Sequence, residues 1–299
     1  MSSPVAIGVD VGGTYTKLVA VTADGIVRSR ARVETDGGSA ERLLESVRSE
    51  ITAAEQRVGQ AACVGVACPG LVRRGAVAVH WMKGRLEVLE GLEWQAALGR
   101  SAPVPVINDA HAALLGEMWL GAARGCLDVV LLTLGTGVGG AIVSDGRILA
   151  GATGRAGHLG HIALQVPGPR DIVNTPGSLE DAIGNHNILA RSNGLFASTE
   201  ALLAAHAQGD AHASQVWQTS VRCLAAGLAS IINAVDPARI VLGGGIAARA
   251  GRALFDLLDD YMHEYEWRPT LDRVEIVPAS LGDEAGAIGA AWHAMERTA

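Results

Sequence analysis

The stretch that decides the fold is "VAIGVDVGGTYTKLVAVTADGIV", residues 5–27. It contains an apolar run, a turn of glycines and a threonine, a second apolar run, and the pair Asp24-Gly25 before a third run. Asp-Gly is typical of tight hairpins, because glycine takes up a positive φ without steric cost. The stretch therefore predicts three consecutive strands joined by two tight turns.

A second stretch, "VVLLTLGTGVGGAIVSDGRIL" at residues 129–149, repeats this plan. It has an apolar strand, a Gly/Thr turn, another apolar strand, the pair Asp145-Gly146 and a third strand. Two copies of one strand–turn–strand unit indicate a protein with two halves that share an architecture.

Helical and strand-like segments alternate around these two units. Helical spacing of apolar residues covers 38–58, a helix begins near Asp109, and the chain after residue 180 is mostly helical, with an amphipathic run at 216–235 and an Ala-rich helix at 283–296. Such alternation predicts an α/β protein with parallel strand pairs. We expect two lobes with an active-site cleft between them: residues 1–109 plus 284–299, and residues 110–283.

The composition excludes several classes of protein. Hydrophobic residues make up 49% of the 299 residues and charged residues 18%, which is typical of a folded globular protein, and the net charge of -7 argues against a nucleic-acid partner. Neither a signal peptide nor a membrane-spanning run is visible, so a cytoplasmic protein is expected. None of the four cysteines forms a C-x-x-C pair, which favours buried, reduced thiols.

Three glycine-rich strand ends are candidates for binding a nucleotide. "DVGGTYTK" (10–17) offers Gly12, Gly13, Thr14 and Lys17, and "LGTG" (134–137) offers Gly135, Thr136 and Gly137, as donors to phosphate oxygens. "LGGG" (242–245) offers Gly243, Gly244 and Gly245 as bare backbone for an adenine or ribose. A plain hairpin is the alternative at the first motif, and neither the P-loop nor the dinucleotide pattern is met. Asp10, at a strand end, could hold a Mg²⁺ that bridges phosphates.

The triplet "IND" (107–109) has two interpretations. Asn and Asp are common helix caps, so one interpretation is a cap for the following helix. In the other, Asp109 is a general base that takes a proton from an attacking hydroxyl.

Together these motifs resemble the ROK group of bacterial sugar kinases and related repressors, within the hexokinase and actin-like ATPase superfamily. The similarity runs through nearly the whole chain and includes "DVGGTYTK", "VACPG", "NDAHAALLGE", "LGTGVGGAIV", "ASIINAVDPARIVLGGGI" and "LGDEAGAIGAA".

The resemblance implies two ribonuclease-H-like lobes and a kinase that uses ATP and Mg²⁺ to phosphorylate a primary hydroxyl, usually O6, of a hexose. It implies Asp109 as the base, and it implies sugar contacts from Asn108, His161 and Glu180, with Gly70 in a substrate-side loop. It also implies a homodimer.

The segment "AGHLGH" (156–161) departs from the family's A-G-E-x-G-H pattern, because His158 stands where a glutamate is usual. An imidazole binds hydroxyl and ammonium groups differently from a carboxylate. We expect both histidines to contact the sugar, with ordinary loop histidines as the alternative. The acceptor is then expected to be an amino sugar of the kanosamine type, N-acetylmannosamine or a C7-cyclitol rather than plain glucose.

A second departure concerns zinc. The family's C-x-C-G-x-x-G-C-x-E run aligns with "DIVNTPGSLE", whose cysteine positions hold Asp171, Val173 and Ser178. Asp171 could ligate zinc, but Val173 cannot and Ser178 is a poor ligand. We therefore expect no structural zinc. The segment 79–94 also lacks the family's usual asparagine. Trp81 and Lys83 are candidate substrate contacts there, with an ordinary surface loop as the alternative.

Three rival functions stay open at this stage. A repressor would carry a helix-turn-helix domain before the first motif, and the sequence given leaves no room for one there. A non-catalytic sugar sensor is disfavoured by the retention of Asp10 and Asp109. A glucokinase that uses polyphosphate would fit the loss of the zinc cysteines, but no extended basic groove is visible, so ATP is preferred.

Overall fold

The computed structural model describes residues 3–84, 86–270 and 272–298. The strands are β1 Val5–Val11, β2 Tyr15–Thr22, β3 Val27–Glu34, β4 Cys63–Cys68, β5 Val106–Asn108, β6 Val129–Leu134, β7 Val138–Ser144, β8 Arg147–Ile148, β9 Arg239–Gly243 and β10 Glu275–Pro278. The helices are α1 Ala40–Val58, α2 Trp94–Ala97, α3 Asp109–Leu120, α4 Leu179–Ile183, α5 Ile188–Arg191, α6 Thr199–Ala207, α7 Ala211–Val235, α8 Gly244–Ala250, α9 Arg252–Tyr265 and α10 Ala285–Thr298.

Both predicted three-strand units form, and the predicted α/β class is confirmed. The first sheet has the order β3-β2-β1-β4-β5 and the second the order β10-β9-β6-β7-β8. In each sheet an antiparallel hairpin adjoins parallel pairs, β1–β4–β5 in the first and β6–β9–β10 in the second. Gly25 and Gly146 have φ values of 86° and 71°, as the Asp-Gly turns predict.

Several helices begin where a side chain caps them. Ser39 accepts the N–H of Arg42 at the start of α1, and Asp210 accepts the N–H of Ala213 at the start of α7. Such caps satisfy amide groups that have no partner inside the helix. They explain why α1 starts slightly after the predicted residue 38 and α7 starts before the predicted residue 216.

Contacts divide the chain into two compact units. The first comprises Met1–Gly125, Ile148–Ala156 and Ser280–Ala299, and the second comprises Cys126–Arg147 and Gly157–Ala279. Helix α3 belongs to the first unit, beyond the boundary expected after residue 109, because it packs along α10. Residues 1, 2, 85, 271 and 299 of the expected lobes lie outside the described residues.

Helix α10 packs at backbone distance inside the first unit. A Cβ on Gly289 would lie 1.7 Å from the Ala112 carbonyl oxygen of α3, and a Cβ on Gly8 of β1 would lie 1.8 Å from the Ala287 carbonyl oxygen. Any side chain at either glycine would force the elements apart. The glycines therefore fix α10 between α3 and the first sheet.

Each unit has its own apolar core. Trp94, Leu43 and Ile7 are fully buried in the first unit, and Trp217, Leu131 and Leu179 are fully buried in the second. Among the residues that the structure describes, no helix has the length and apolar character needed to cross a bilayer.

Candidate active site

Two carboxylates lie at one edge of the first sheet. Strands β1, β4 and β5 are parallel, Asp10 is the penultimate residue of β1, and Asp109 follows the last residue of β5. The carboxyl ends of parallel strands are where α/β proteins bind ligands. Burial raises the pKa of Asp10 to about 7, and the negative charge of Asp109 adds to the rise. The two side chains are thus electrostatically coupled.

The negative charge of Asp10 is only partly offset by a nearby positive side chain. Lys17, its partner in the β1–β2 register, lowers the pKa of Asp10, but the Lys17 ammonium also pairs with Asp283 at 3.3 Å. A Cβ on Gly286 would lie 2.6 Å from the Asp10 Oδ2 atom, so glycine makes room for the carboxylate at the start of α10. A cation at Asp10 would relieve the repulsion from Asp109.

Asn108 has the capping role that one interpretation of "IND" predicts. Its Oδ1 accepts the N–H groups of Ala110 at 3.0 Å and His111 at 3.2 Å, and its Nδ2 donates to the Gly70 carbonyl at 3.0 Å. Asp109 is the first residue of α3 and stays half-buried. The cap thus fixes the turn that carries Asp109 and ties it to the loop at Pro69-Gly70 (the Pro-Gly loop). Whether Asn108 and Gly70 contact a sugar stays a prediction.

Glu117, in the same "NDAHAALLGE" stretch, is an anchor that the sequence analysis missed. Its fully buried carboxylate accepts the N–H groups of Ala122, Ser280 and Leu281 and the Ser280 hydroxyl. Ionised acceptors form the stronger class of hydrogen bonds. Glu117 therefore holds the segment that leads into α10 onto α3. A charged glutamate within a run of small and apolar residues was the signal by which Glu117 could have been found from the sequence.

The predicted nucleotide-binding glycines fall into two groups. A Cβ on Gly13, Gly135 or Gly245 would meet no protein atom within 4 Å. By contrast, a Cβ on Gly137 would lie 2.1 Å from the Glu180 carboxylate, and one on Gly244 would lie 2.4 Å from the Leu134 carbonyl oxygen. Packing requires glycine in the second group, whereas the first group leaves space beside the backbone that a phosphate or ribose could use.

The remaining residues of these motifs have local roles or stay predictions. Gly12 donates its N–H to the Tyr15 carbonyl at 3.1 Å and closes the β1–β2 turn, and Thr14 is exposed beside it. Gly243 is buried at the end of β9, where a Cβ would lie 3.1 Å from Ala279. Thr136 is exposed in the second turn.

Main-chain hydrogen bonds from residues 185 and 186, just after α4, hold the turn at 135–137 in place. The N–H groups of Asn185 and His186 donate to the carbonyls of Gly135 and Thr136, each at 2.9 Å. The imidazole of His186 also contacts the Thr136 carbonyl at 3.0 Å and the Asp181 carboxylate at 2.9 Å. Carbonyl oxygens that would repel a phosphate are thus bound internally. His186 and Asp181 were not among the residues predicted from the sequence.

Glu180 presents one oxygen without a protein partner. The residue is 5% exposed, and its Oε2 accepts the N–H of Val138 at 2.8 Å. Its Oε1 is buried and makes no hydrogen bond with the described residues. A buried, unbonded carboxylate oxygen is costly, so this atom indicates a place for a donor group of a ligand.

His161 lies beside Glu180 and is paired with Asp171. Its Nδ1 is 2.8 Å from the Asp171 Oδ2, and one ligand atom from each of the three side chains lies within 4.8 Å of the others. Burial by itself would raise the pKa of Asp171, but hydrogen bonds from His161, Thr175 and Val173 outweigh it and hold that pKa below its usual range. Asp171 thus stays ionised in a buried position.

The glycines of "AGHLGH" bring this segment against β7. A Cβ on Gly160 would lie 2.1 Å from the Val138 carbonyl oxygen, so the one-turn 3₁₀ helix Leu159–His161 packs directly on the strand that follows the second turn. His158 is the half-buried cap residue of that turn. Its predicted sugar contact stays a prediction.

The segment 79–94 folds back onto the Pro-Gly loop. Leu71 donates its N–H to the Trp81 carbonyl at 2.8 Å, and Met82 donates its N–H to the Glu90 carboxylate at 2.8 Å. Trp81 is 43% exposed, which leaves it accessible to a ligand. Arg85, in the same segment, lies outside the described residues.

The fold and these strand-end motifs are typical of α/β proteins that transfer phosphate groups, and comparisons with known proteins identify the family. The family model "ROK family" matches residues 6–297. The chain is 32% identical to a glucokinase of Halalkalibacterium halodurans, over 98% of this chain and 95% of that protein. It is 30% identical to an N-acetylmannosamine kinase of Escherichia fergusonii, over 95% and 96% of the two chains.

A solved structure supports the same family. The chain superimposes with a TM-score of 0.80 and 26% identity on a ROK family glucokinase from Streptomyces griseus in complex with glucose and AMPPNP, over 98% of this chain and 99% of that one. The chain belongs to the ROK family. It is an ROK-type kinase with the actin-like ATPase fold, as the motifs predicted.

Proposed function

We propose that this protein transfers the γ-phosphate of ATP to a primary, 6-type hydroxyl of a hexose or hexose-like acceptor, with Asp109 as the general base. The observation that carries the proposal is the coupling of Asp10 and Asp109 at the carboxyl edge of a parallel sheet. One carboxylate can hold the metal of the donor, while the other accepts the proton of the attacking hydroxyl.

The open backbone at Gly13, Gly135 and Gly245 supports ATP as the donor. Glycine leaves main-chain N–H groups open to close approach by phosphate oxygens. Thr14, Thr136 and Lys17 would add hydroxyl and ammonium donors. The complex of the Streptomyces griseus relative with AMPPNP supports the same donor.

Burial and the neighbouring Asp109 charge, which raise the pKa of Asp10, support Mg²⁺ at that residue, because a bound cation would stabilise the ionised carboxylate. When bound, Mg²⁺ would neutralise charge on the transferring phosphate. The protein itself positions the reactants and moves the proton: Asp109 accepts it from the acceptor hydroxyl as that oxygen attacks the γ-phosphate.

We propose that residues of the second unit bind the acceptor. Glu180 offers its unbonded Oε1, and His161 and His158 offer imidazole groups on the same segment. Because His158 stands where a carboxylate is usual, we propose an amino sugar of the kanosamine type, N-acetylmannosamine or a C7-cyclitol ahead of glucose. Asn108 and Gly70 are proposed as further contacts to the acceptor. We also propose that the enzyme is a cytoplasmic homodimer.

The test is ADP release with ATP and Mg²⁺ across glucose, mannose, N-acetylmannosamine, N-acetylglucosamine, glucosamine, kanosamine and a C7-cyclitol. Asp109→Asn is the control, because it keeps the helix start while removing the base. General base catalysis contributes roughly 10²–10⁴-fold, so we expect kcat to fall by about that factor with little change in acceptor binding.

Each alternative outcome has a clear meaning. Near-normal kcat in Asp109→Asn removes Asp109 as the base. Acceptor binding without ADP release from ATP, but with phosphorylation from polyphosphate, identifies a polyphosphate-using glucokinase. Binding without turnover from either donor identifies a non-catalytic sugar sensor.

A further inference from the structure

The loop between Ile162 and Ser178 is organised around one buried carboxylate. The Asp171 Oδ1 accepts the N–H groups of Val173 at 3.0 Å and Thr175 at 2.8 Å, and its Oδ2 contacts the His161 Nδ1 at 2.8 Å. The Asp171 main chain closes the same turn, with its N–H on the Thr175 carbonyl and its carbonyl on the Asn174 N–H. The side chain of Asp171 has no exposed surface.

The contact to His161 determines where the imidazole carries its proton. An ionised carboxylate only accepts hydrogen bonds, so the Nδ1 of His161 must be the donor. In the neutral ring, the Nε2 is then an acceptor. The His161 side chain is 27% exposed, so the ring is not closed off from a ligand.

The neighbouring Glu180 adds a second acceptor. Its Oε1 is buried and unbonded among the described residues, and Glu180 and His161 each place a ligand atom within 4.8 Å of the other. The two side chains are neighbours, so an Nε2 acceptor on His161 and the Oε1 acceptor on Glu180 suit two neighbouring donor groups. A vicinal diol offers such a pair, and so does a hydroxyl beside a protonated amine.

We propose that Asp171 is a positioning residue that fixes His161 in the Nδ1–H tautomer, so that His161 and Glu180 select acceptors with two neighbouring donor groups. This inference rests on the proposed function for its substrate. It assigns a role to Asp171 that needs no metal, because both Asp171 oxygens are engaged with protein donors. Carboxylate partners of functional histidines orient rings in the same way at metal sites.

The first measurement is the tautomer of His161 in the wild-type protein. Long-range ¹H–¹⁵N correlation spectra of ¹⁵N-histidine-labelled protein distinguish Nδ1–H from Nε2–H, and loss of a signal in His161→Gln assigns the residue. We expect the Nδ1–H form in the wild type. In Asp171→Asn we expect the Nε2–H form, because the amide would donate to Nδ1 while its oxygen keeps the Val173 and Thr175 contacts.

The second measurement separates binding from chemistry. Losing a charge-assisted hydrogen bond at a binding group costs roughly 10- to 100-fold in affinity. Asp171→Asn should therefore raise the KM and the calorimetric Kd for the acceptor by about that factor, with the KM for ATP unchanged. Asp128→Asn is the matched control, because Asp128 also accepts a hydroxyl and a main-chain N–H, from Ser144 and Asp145, but contacts no histidine. It should leave both constants unchanged.

Several results would overturn the inference. An Nε2–H tautomer of His161 in the wild type refutes it even if Asp171→Asn does not fold. So does a folded Asp171→Asn variant with unchanged acceptor affinity. Stoichiometric zinc in the purified wild type that is lost in Asp171→Asn would make Asp171 a metal ligand instead. If no panel acceptor binds or turns over while the tautomers behave as expected, the proposed function and the two-donor selectivity fail, and only the Asp171–His161 pairing stands.

Discussion

Asp10→Asn should make the ligand-free protein more stable at alkaline pH. Burial and the Asp109 charge raise the pKa of Asp10 from 3.8 to about 7 in the folded chain. At about 1.4 kcal/mol for each pH unit, ionised Asp10 costs up to about 4 kcal/mol of folding free energy above pH 7. The asparagine variant avoids this cost.

The sign of the pH dependence follows from the direction of that shift. The unfolded chain loses the Asp10 proton near pH 4, whereas the folded chain keeps it until about pH 7. The folded protein therefore loses stability, relative to the variant, as the pH rises through this window. The advantage of Asp10→Asn should grow by about 3 kcal/mol between pH 5 and pH 8, or roughly 6–12 °C in Tm.

Differential scanning calorimetry at pH 5, 6, 7 and 8 measures this difference, with Asp128→Asn as a control that should track the wild type. Mg·ATP should reverse the order, because a cation at Asp10 balances the charge only in the wild type. An advantage that is independent of pH, or a less stable variant at pH 8, would refute the reasoning.

Two further predictions concern buried contacts. Glu117→Gln leaves main-chain donors without an ionised acceptor and should lower the free energy of unfolding, measured by thermal unfolding, by about 3 kcal/mol. The control Glu284→Gln removes a surface ion pair and should lower it by less than about 1 kcal/mol. Equal losses in the two variants would contradict the anchor role of Glu117. Gly137→Ala should displace the Glu180 carboxylate and raise the KM for the acceptor, whereas Gly135→Ala, whose Cβ meets no protein atom, should raise mainly the KM for ATP. Steady-state kinetics in which each substrate is varied in turn separates the two effects. Identical kinetic profiles would argue against the division into packed and open glycines.

The sequence predicts the two strand–turn–strand units and the helices α1, α3, α7 and α10, because local signals determine them. The Asp-Gly turns at 24–25 and 145–146 require positive φ, and alternating apolar runs define the strands on either side. The start of α3 at Asp109 follows from the capping preference of Asn108. Such features depend on neighbours within a few residues.

The interactions that shape the candidate site depend on residues distant in sequence. Asp171 follows His161 by ten residues, and Glu117 binds Ser280, which is 163 residues away. Only the folded chain brings these atoms together, so the sequence marks Asp171 merely as a replaced cysteine. The separation of glycines into packed and open positions likewise requires coordinates, since Gly135 and Gly137 belong to the same motif.

The position of α10 has a consequence for how the protein is made. Its backbone fills the space beside Gly8 of β1, and its Gly289 packs against α3, so the first unit lacks an internal helix until residues 285–298 have been synthesised. The long segment Gly157–Ala279 of the second unit emerges from the ribosome before them. Because contacts between distant segments form slowly, we expect the second unit to become protease-resistant first during translation. The first sheet should stay incompletely packed, and accessible to chaperones, until α10 has been synthesised.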